Sequence, residues 1–108
     1  MKPLILSLLA TATLIAAPGS RTFTGVITDS MCAGADHSIM RMGSTAAECT
    51  IACVMAHDAS YMLYDDKSAY TLSDQQTPEK FAGKKVTVKG TLDAKTKTIH
   101  VESITAAK

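Results

Sequence analysis

"KKVTVKGTLDAKTKTIHVESI", residues 84–104, is the stretch whose reading decides the fold of this 108-residue chain. Val86, Val88 and Leu92, then Ile99 and Val101, stand at alternating positions with polar residues between them. A period of two is the pattern of a strand with one face buried. Asp93–Lys97 interrupts the pattern with turn-forming and charged residues, so the stretch reads as a closing hairpin.

Upstream, "QQTPEKFAG" (75–83) reads as a short turn or a single helical coil. "SYMLYDD" (60–66) and "KSAYTLSD" (67–74) read as two strands turning at Asp65-Asp66-Lys67. "TFTGVITD" (22–29) alternates, with Phe23, Gly25 and Ile27 on one face, and reads as a first strand. Residues 30–44 are small and polar without a period, and read as an irregular excursion.

"TAAECTIACVMAH" (45–57) follows. Thr45 and Glu48 form a T-x-x-E capping box, in which two side chains satisfy opposed backbone donors. A helix over about 46–56 is expected. At 100° per residue it carries Ala47, Ile51, Val54 and Met55 on one stripe, read as the core face. Cys49, Ala52, Cys53 and Ala56 form the opposite stripe. Five short strands and one helix predict a mainly β fold, a small five-stranded OB-like barrel. The helix is inserted between strands 1 and 2, whereas the usual OB helix lies between the third and fourth.

The chain opens "MKPLILSLLATATLIAAPGSRTF", with a positive Lys2, an apolar run from Leu4 to Ala17 and a small-residue break at Pro18-Gly19-Ser20. This is the pattern of a Sec-type signal peptide occupying 1–20, with cleavage between 16 and 20. Export to the periplasm or beyond the cell, with no membrane anchor after cleavage, is the expectation. The single domain is then 21–108, a size at which a core is marginal and a staple common. An oxidising compartment permits disulfides.

Charge is unevenly spread. Residues 21–79 carry a net of −5 and residues 80–108 a net of +5. Every cysteine lies in the acidic part, which favours a cation there. Nucleic-acid binding is not expected: base stacking on an OB surface needs aromatics over a basic groove. Tyr61, Tyr64 and Tyr70 instead lie on acidic central strands. Nor is an enzyme expected. Asp29, Ser30 and His37 are present without a G-x-S-x-G turn or other positioning device, so no catalytic residue is assigned.

The combination "TGVITDSMC" (24–32), "ECTIAC" (48–53) and "GKKVTVKGTL" (83–92) resembles a family of small exported bacterial proteins carrying a domain of unknown function. The resemblance extends over essentially the whole mature chain. It implies an exported OB-like domain and brings no activity with it. Such sequences more often end the cysteine helix with glycine, where this chain has Ala56-His57-Asp58. "CTIACVMAH" (49–57) also has a local likeness to the binuclear copper centre of cytochrome oxidase subunit II, in the spacing of Cys49, Cys53 and His57. That centre has a methionine where Ser60 stands here, and its ligands lie on a loop, whereas the capping box here predicts a helix.

The three cysteines allow two readings. In the first, Cys32 pairs with Cys49 or Cys53, closing a loop of about 17–21 residues and contributing roughly 3 kcal/mol. A Cys49–Cys53 bridge is unfavourable, since Cβ atoms one helical turn apart exceed the usual ~3.8 Å. In the second, Cys32, His37, Cys49 and Cys53 form a Cys3His set for zinc or copper, at a spacing C-x4-H-x11-C-x3-C. A third possibility, a reactive Cys49, meets a spacing wider than the C-x-x-C of thiol oxidoreductases.

Overall fold

A computed structural model describes residues 19–35 and 43–107. Nearly all of the expected signal peptide and His37 lie outside the described residues. The elements run β1 (Ser20–Asp29), α1 (Ala46–His57), β2 (Tyr61–Tyr64), β3 (Ala69–Leu72), a 3-10 turn (Thr77–Phe81), β4 (Lys85–Asp93) and β5 (Thr98–Ala106). The strands close into a barrel in the order β1-β2-β3-β5-β4. All pairings are antiparallel except β3 with β5. This is the OB-like, mainly β architecture expected, with the helix between β1 and β2.

β1 holds the barrel together by pairing twice. Its first part, Ser20–Val26, runs against β4, and its last, Val26–Asp29, against β2. A strand that changes partners must coil sharply, and Gly25 sits at the change. A Cβ there would stand 2.3 Å from the Tyr64 carbonyl oxygen, so only glycine permits the approach. Phe23, Ile27, Tyr61, Leu63, Leu72, Val86, Val88 and Ile99 form the interior.

The closing hairpin shows one departure from simple alternation. Val86, Val88 and Ile99 are fully buried, while Leu92 and Val101 are only half-buried. Lys89 pairs with Ser103 and Gly90 with Val101, so β5 carries Glu102 as an extra residue. Such a bulge rotates the strand and moves its apolar set partly off the inner face.

The helix also differs from expectation. Its buried residues are Cys49, Thr50 and Cys53, while Met55 from the expected core stripe is 75% exposed. Val54 does pack against the barrel interior, and also against the cluster of Cys49, Cys53 and Ala59. The sulfur-bearing face is therefore the core face. α1 is apolar or small nearly all round, so periodicity could not select a face. Small side chains allow close approach. α1 packs on β1, and a Cβ at Gly83 would lie 2.8 Å from the Ala47 nitrogen.

Candidate functional site: a buried cysteine cluster at the end of the first strand

β1 ends in an Asx turn at "DSMC" (29–32). Asp29 Oδ1 accepts from the backbone N–H of Met31 at 2.9 Å and of Cys32 at 3.1 Å. The Cys32 N–H also donates to the Asp29 carbonyl at 3.1 Å. Thr28 Oγ1 donates to the Cys32 carbonyl at 2.7 Å. A short carboxylate side chain supports such a turn because it reaches its own downstream N–H groups. The Ser30 N–H donates to the Ser60 carbonyl at 2.9 Å, and the Ser60 N–H to Ser30 Oγ at 2.9 Å. Cys32 is thereby held in a buried position beside the start of β2.

The helix places the other two thiols. Thr45 Oγ1 accepts from the Glu48 N–H at 3.1 Å. Glu48 Oε1 accepts from the N–H and hydroxyl of Ser44 at 2.9 and 2.7 Å, so the box closes one residue earlier than the sequence suggests. The Ser44 hydroxyl, followed by its N–H, holds the Glu48 carboxyl below its ordinary range. One turn separates Cys49 from Cys53, and both are fully buried. The helix ends at Asp58, in a left-handed conformation with φ 57°, and the Ala59 N–H reaches the Cys53 carbonyl at 3.3 Å.

Burial pushes the Cys53 thiol up to about 12, with further contributions from Asp29, Cys49 and Cys32 and from a hydrogen bond with Cys49. Each neighbour that acts on Cys53 is an anion when ionised, so proximity favours the neutral thiol. The phenol of Tyr61 is also raised, by burial first, then by Glu79 and Asp29. Three buried oxygens among the described residues have no hydrogen-bond partner: Asp29 Oδ2, Thr50 Oγ1 and the Tyr61 hydroxyl.

Of the four expected donors, Cys49 and Cys53 pack in one buried cluster on α1, Cys32 is buried in the turn after β1, and His37 lies outside the described residues. No three His, Cys, Asp or Glu side chains among the described residues are set in the arrangement of a metal site, and no disulfide is present among them. His57 is exposed at the helix end, and His100 and Glu102 are exposed on β5. Tyr61 is buried, and Tyr70 packs against Phe23 at 5.9 Å between ring centroids. Asp29, whose carboxyl shapes the turn that carries Cys32, has no role in the sequence reading; its available signal is the D-S-x-C spacing of an Asx turn.

The fold is a small OB-like barrel with a buried cysteine pair on its helix and a third buried cysteine in the turn after β1. Residues 55–107 match a family model described as "Protein of unknown function (DUF5818)". The match begins in the last turn of α1 and takes in β2 to β5. It leaves out β1 and all three cysteines, and is shorter than the resemblance over the mature chain expected from the motifs. No curated protein and no solved structure matches the chain.

Proposed function

We propose that this chain is a small exported bacterial binding domain whose cysteine cluster holds a soft or borderline metal ion, zinc or copper. Cys32, Cys49 and Cys53 are the donors, with His37 as the fourth that the sequence offers. The observation that supports the reading is the burial of all three cysteines, two on one face of α1 and one in the turn that follows β1. Binding displaces the thiol protons and must draw the side chains around one point, so affinity rises with pH and ligation orders the site. Export rests on the signal-like segment 1–20.

Native mass spectrometry of protein purified from the periplasm tests the reading. One zinc or copper per chain is expected, retained under native conditions and lost to chelator. Protein that carries no stoichiometric metal and gains none on titration with Zn²⁺ or Cu(I) overturns it.

The burial of all three cysteines also suits one competitor, a disulfide-stapled structural or interaction domain in which Cys32 bonds to Cys49 or Cys53. That molecule would have a mass two hydrogens below the reduced value, one thiol open to alkylation after denaturation, and indifference to chelators. A thiol oxidoreductase finds less support, since it needs an accessible thiolate and burial drives Cys53 the other way.

A further inference from the structure

We propose that processing of the exported chain breaks the peptide bond between Gly19 and Ser20, and that the Glu102 carboxylate receives the α-ammonium group of Ser20 which this frees. The inference rests on export, read above from the signal-like segment, and is independent of any metal.

The sequence narrows the bond. A signal peptidase takes small side chains at the last and third-last positions of the leader. Within 16–20 that requirement is met by Ala17 and Gly19 together. Cleavage after Ala16 puts Leu14 at the third-last position, and cleavage after Ala17 puts Ile15 there. Cleavage after Pro18 or after Ser20 sets the proline ring at one of the two positions.

The fold begins at the same bond. Ser20 is the first residue of β1 and pairs with Thr91 of β4. Gly19 before it is exposed, with φ 83°, a left-handed conformation that turns the chain out of the strand direction. A break between the two keeps the whole of β1, whereas a terminus at Arg21 would forfeit its first rung on β4.

The receptor is the bulge in β5. Ser20 lies with Thr22 and Thr24 on the outer face of β1, opposite buried Phe23 and Gly25. Glu102 is the extra residue of β5, and its Oε2 accepts from Ser20 Oγ at 3.1 Å, across the width of β4. A bulge re-aims a side chain, and this one aims an acid at the first residue of the barrel. Among the described residues no cationic side chain pairs with Glu102. Its charged and titratable neighbours by register on that face are Lys89, Asp93 and His100.

Hydrolysis supplies the missing cation. Water adds to the Gly19 carbonyl carbon, the C–N bond breaks, and the Ser20 nitrogen keeps the electron pair and takes up a proton. A neutral amide thereby becomes a positive charge on the same Cα that carries the hydroxyl already bonded to Glu102. The new pair ties down a terminus that would otherwise fray.

The test expresses the full-length chain with its own leader in a secreting bacterium. Intact mass and N-terminal sequencing of the periplasmic protein should give residues 20–108, beginning at Ser20. Gly19→Leu should abolish that product, while Ala16→Leu should be processed as wild type. Glu102→Gln keeps an acceptor for the Ser20 hydroxyl and removes the charge, at an exposed position, and far-UV circular dichroism verifies that it folds. The Ser20 amine, ordinarily titrating at about 7.7–8.0, should titrate higher in wild type than in Glu102→Gln by roughly 0.2–0.7, followed by NMR. The same difference should persist in a His100→Gln background, which separates Glu102 from its titratable neighbour.

Exported protein beginning at Ala17, Pro18 or Arg21 overturns the bond and leaves export standing, as does normal processing of Gly19→Leu. Equal amine titrations in wild type and Glu102→Gln overturn the part given to Glu102. A chain that retains residues 1–19 removes the export reading itself, and the processing site with it.

Discussion

Asp29 and Tyr61 stand directly opposite each other across β1 and β2, and each buries an oxygen that has no hydrogen-bond partner. They are not equivalent in what they support. The Asp29 carboxyl holds two backbone N–H groups with its other oxygen, whereas the Tyr61 hydroxyl holds nothing.

Tyr61→Phe should therefore leave the fold intact and be neutral to stabilising, by up to about 1 kcal/mol, because a desolvated hydroxyl without a partner is a cost in the folded state. The variant also has a pH signature. Since the Tyr61 phenol is raised above 10.0, its contribution to stability is complete below that value and is lost as pH climbs through the folded value. Phenylalanine cannot ionise, so the loss of stability at alkaline pH should be shallower. Urea denaturation between neutral and alkaline pH measures both effects; a destabilised variant with an unchanged alkaline limb would refute the account.

Gly25→Ala should disrupt the barrel. The added methyl would meet the Tyr64 carbonyl oxygen at 2.3 Å and carbon at 2.8 Å, which are backbone atoms that cannot swing away. Overpacking of this kind costs roughly 1–3 kcal/mol or more. Gly34→Ala is the matched control, since nothing lies within 4 Å of the added carbon. Thermal melts should separate the two by at least several degrees. Equal melting temperatures would show that β1 does not need its close approach to β2.

Much of this architecture was legible before any coordinates. Alternation located the strands, the turn residues at Asp65–Lys67 and Asp93–Lys97 located the hairpins, and T-x-x-E located α1, because each of these signals is local. The facing of α1 was not legible, because Ala46, Ala47, Ile51, Ala52, Val54 and Ala56 spread apolar surface around the axis. What chose the face was tertiary: the approach to β1 and to Gly83. Asp29 was obscured for a related reason. A carboxylate at the end of a strand looks like an exposed terminus until the barrel closes over it. The bulge in β5 was not legible either, since its extra residue, Glu102, carries no mark in the alternation.

Asp58→Gly should stabilise the domain by about 0.5–1 kcal/mol. Asp58 ends α1 with φ 57°, a left-handed conformation in which glycine has no Cβ penalty. Its side chain is exposed and lies outside the cysteine cluster. A guanidinium midpoint that falls on substitution would show that the aspartate side chain contributes more than its backbone strain costs.

Acid should weaken the domain through its turns. Asp74 is held below its ordinary 3.8, first by the Thr77 hydroxyl and then by the N–H groups of Gln76 and Thr77. Asp65 is lowered likewise by the N–H groups of Ser68 and Lys67. In the folded state Asp74 Oδ1 accepts from Gln76 and Thr77 at 2.9 and 3.0 Å, which fixes the entry to the 3-10 turn. Asp65 Oδ1 does the same for the β2–β3 turn, accepting from Lys67 and Ser68 at 2.9 and 2.8 Å. A depressed carboxylate contributes stability that is present above 3.8 and is lost as pH falls through the lowered folded value. Stability should therefore decline from about pH 4 downward. The double variant Asp65→Asn, Asp74→Asn keeps the acceptor oxygens and removes the titrating groups, so its acid limb should be shallower while its stability at neutral pH is modestly lower. Denaturation midpoints taken between about pH 2 and 7 distinguish the outcomes, and an acid limb as steep as that of wild type would place the acid sensitivity elsewhere in the molecule.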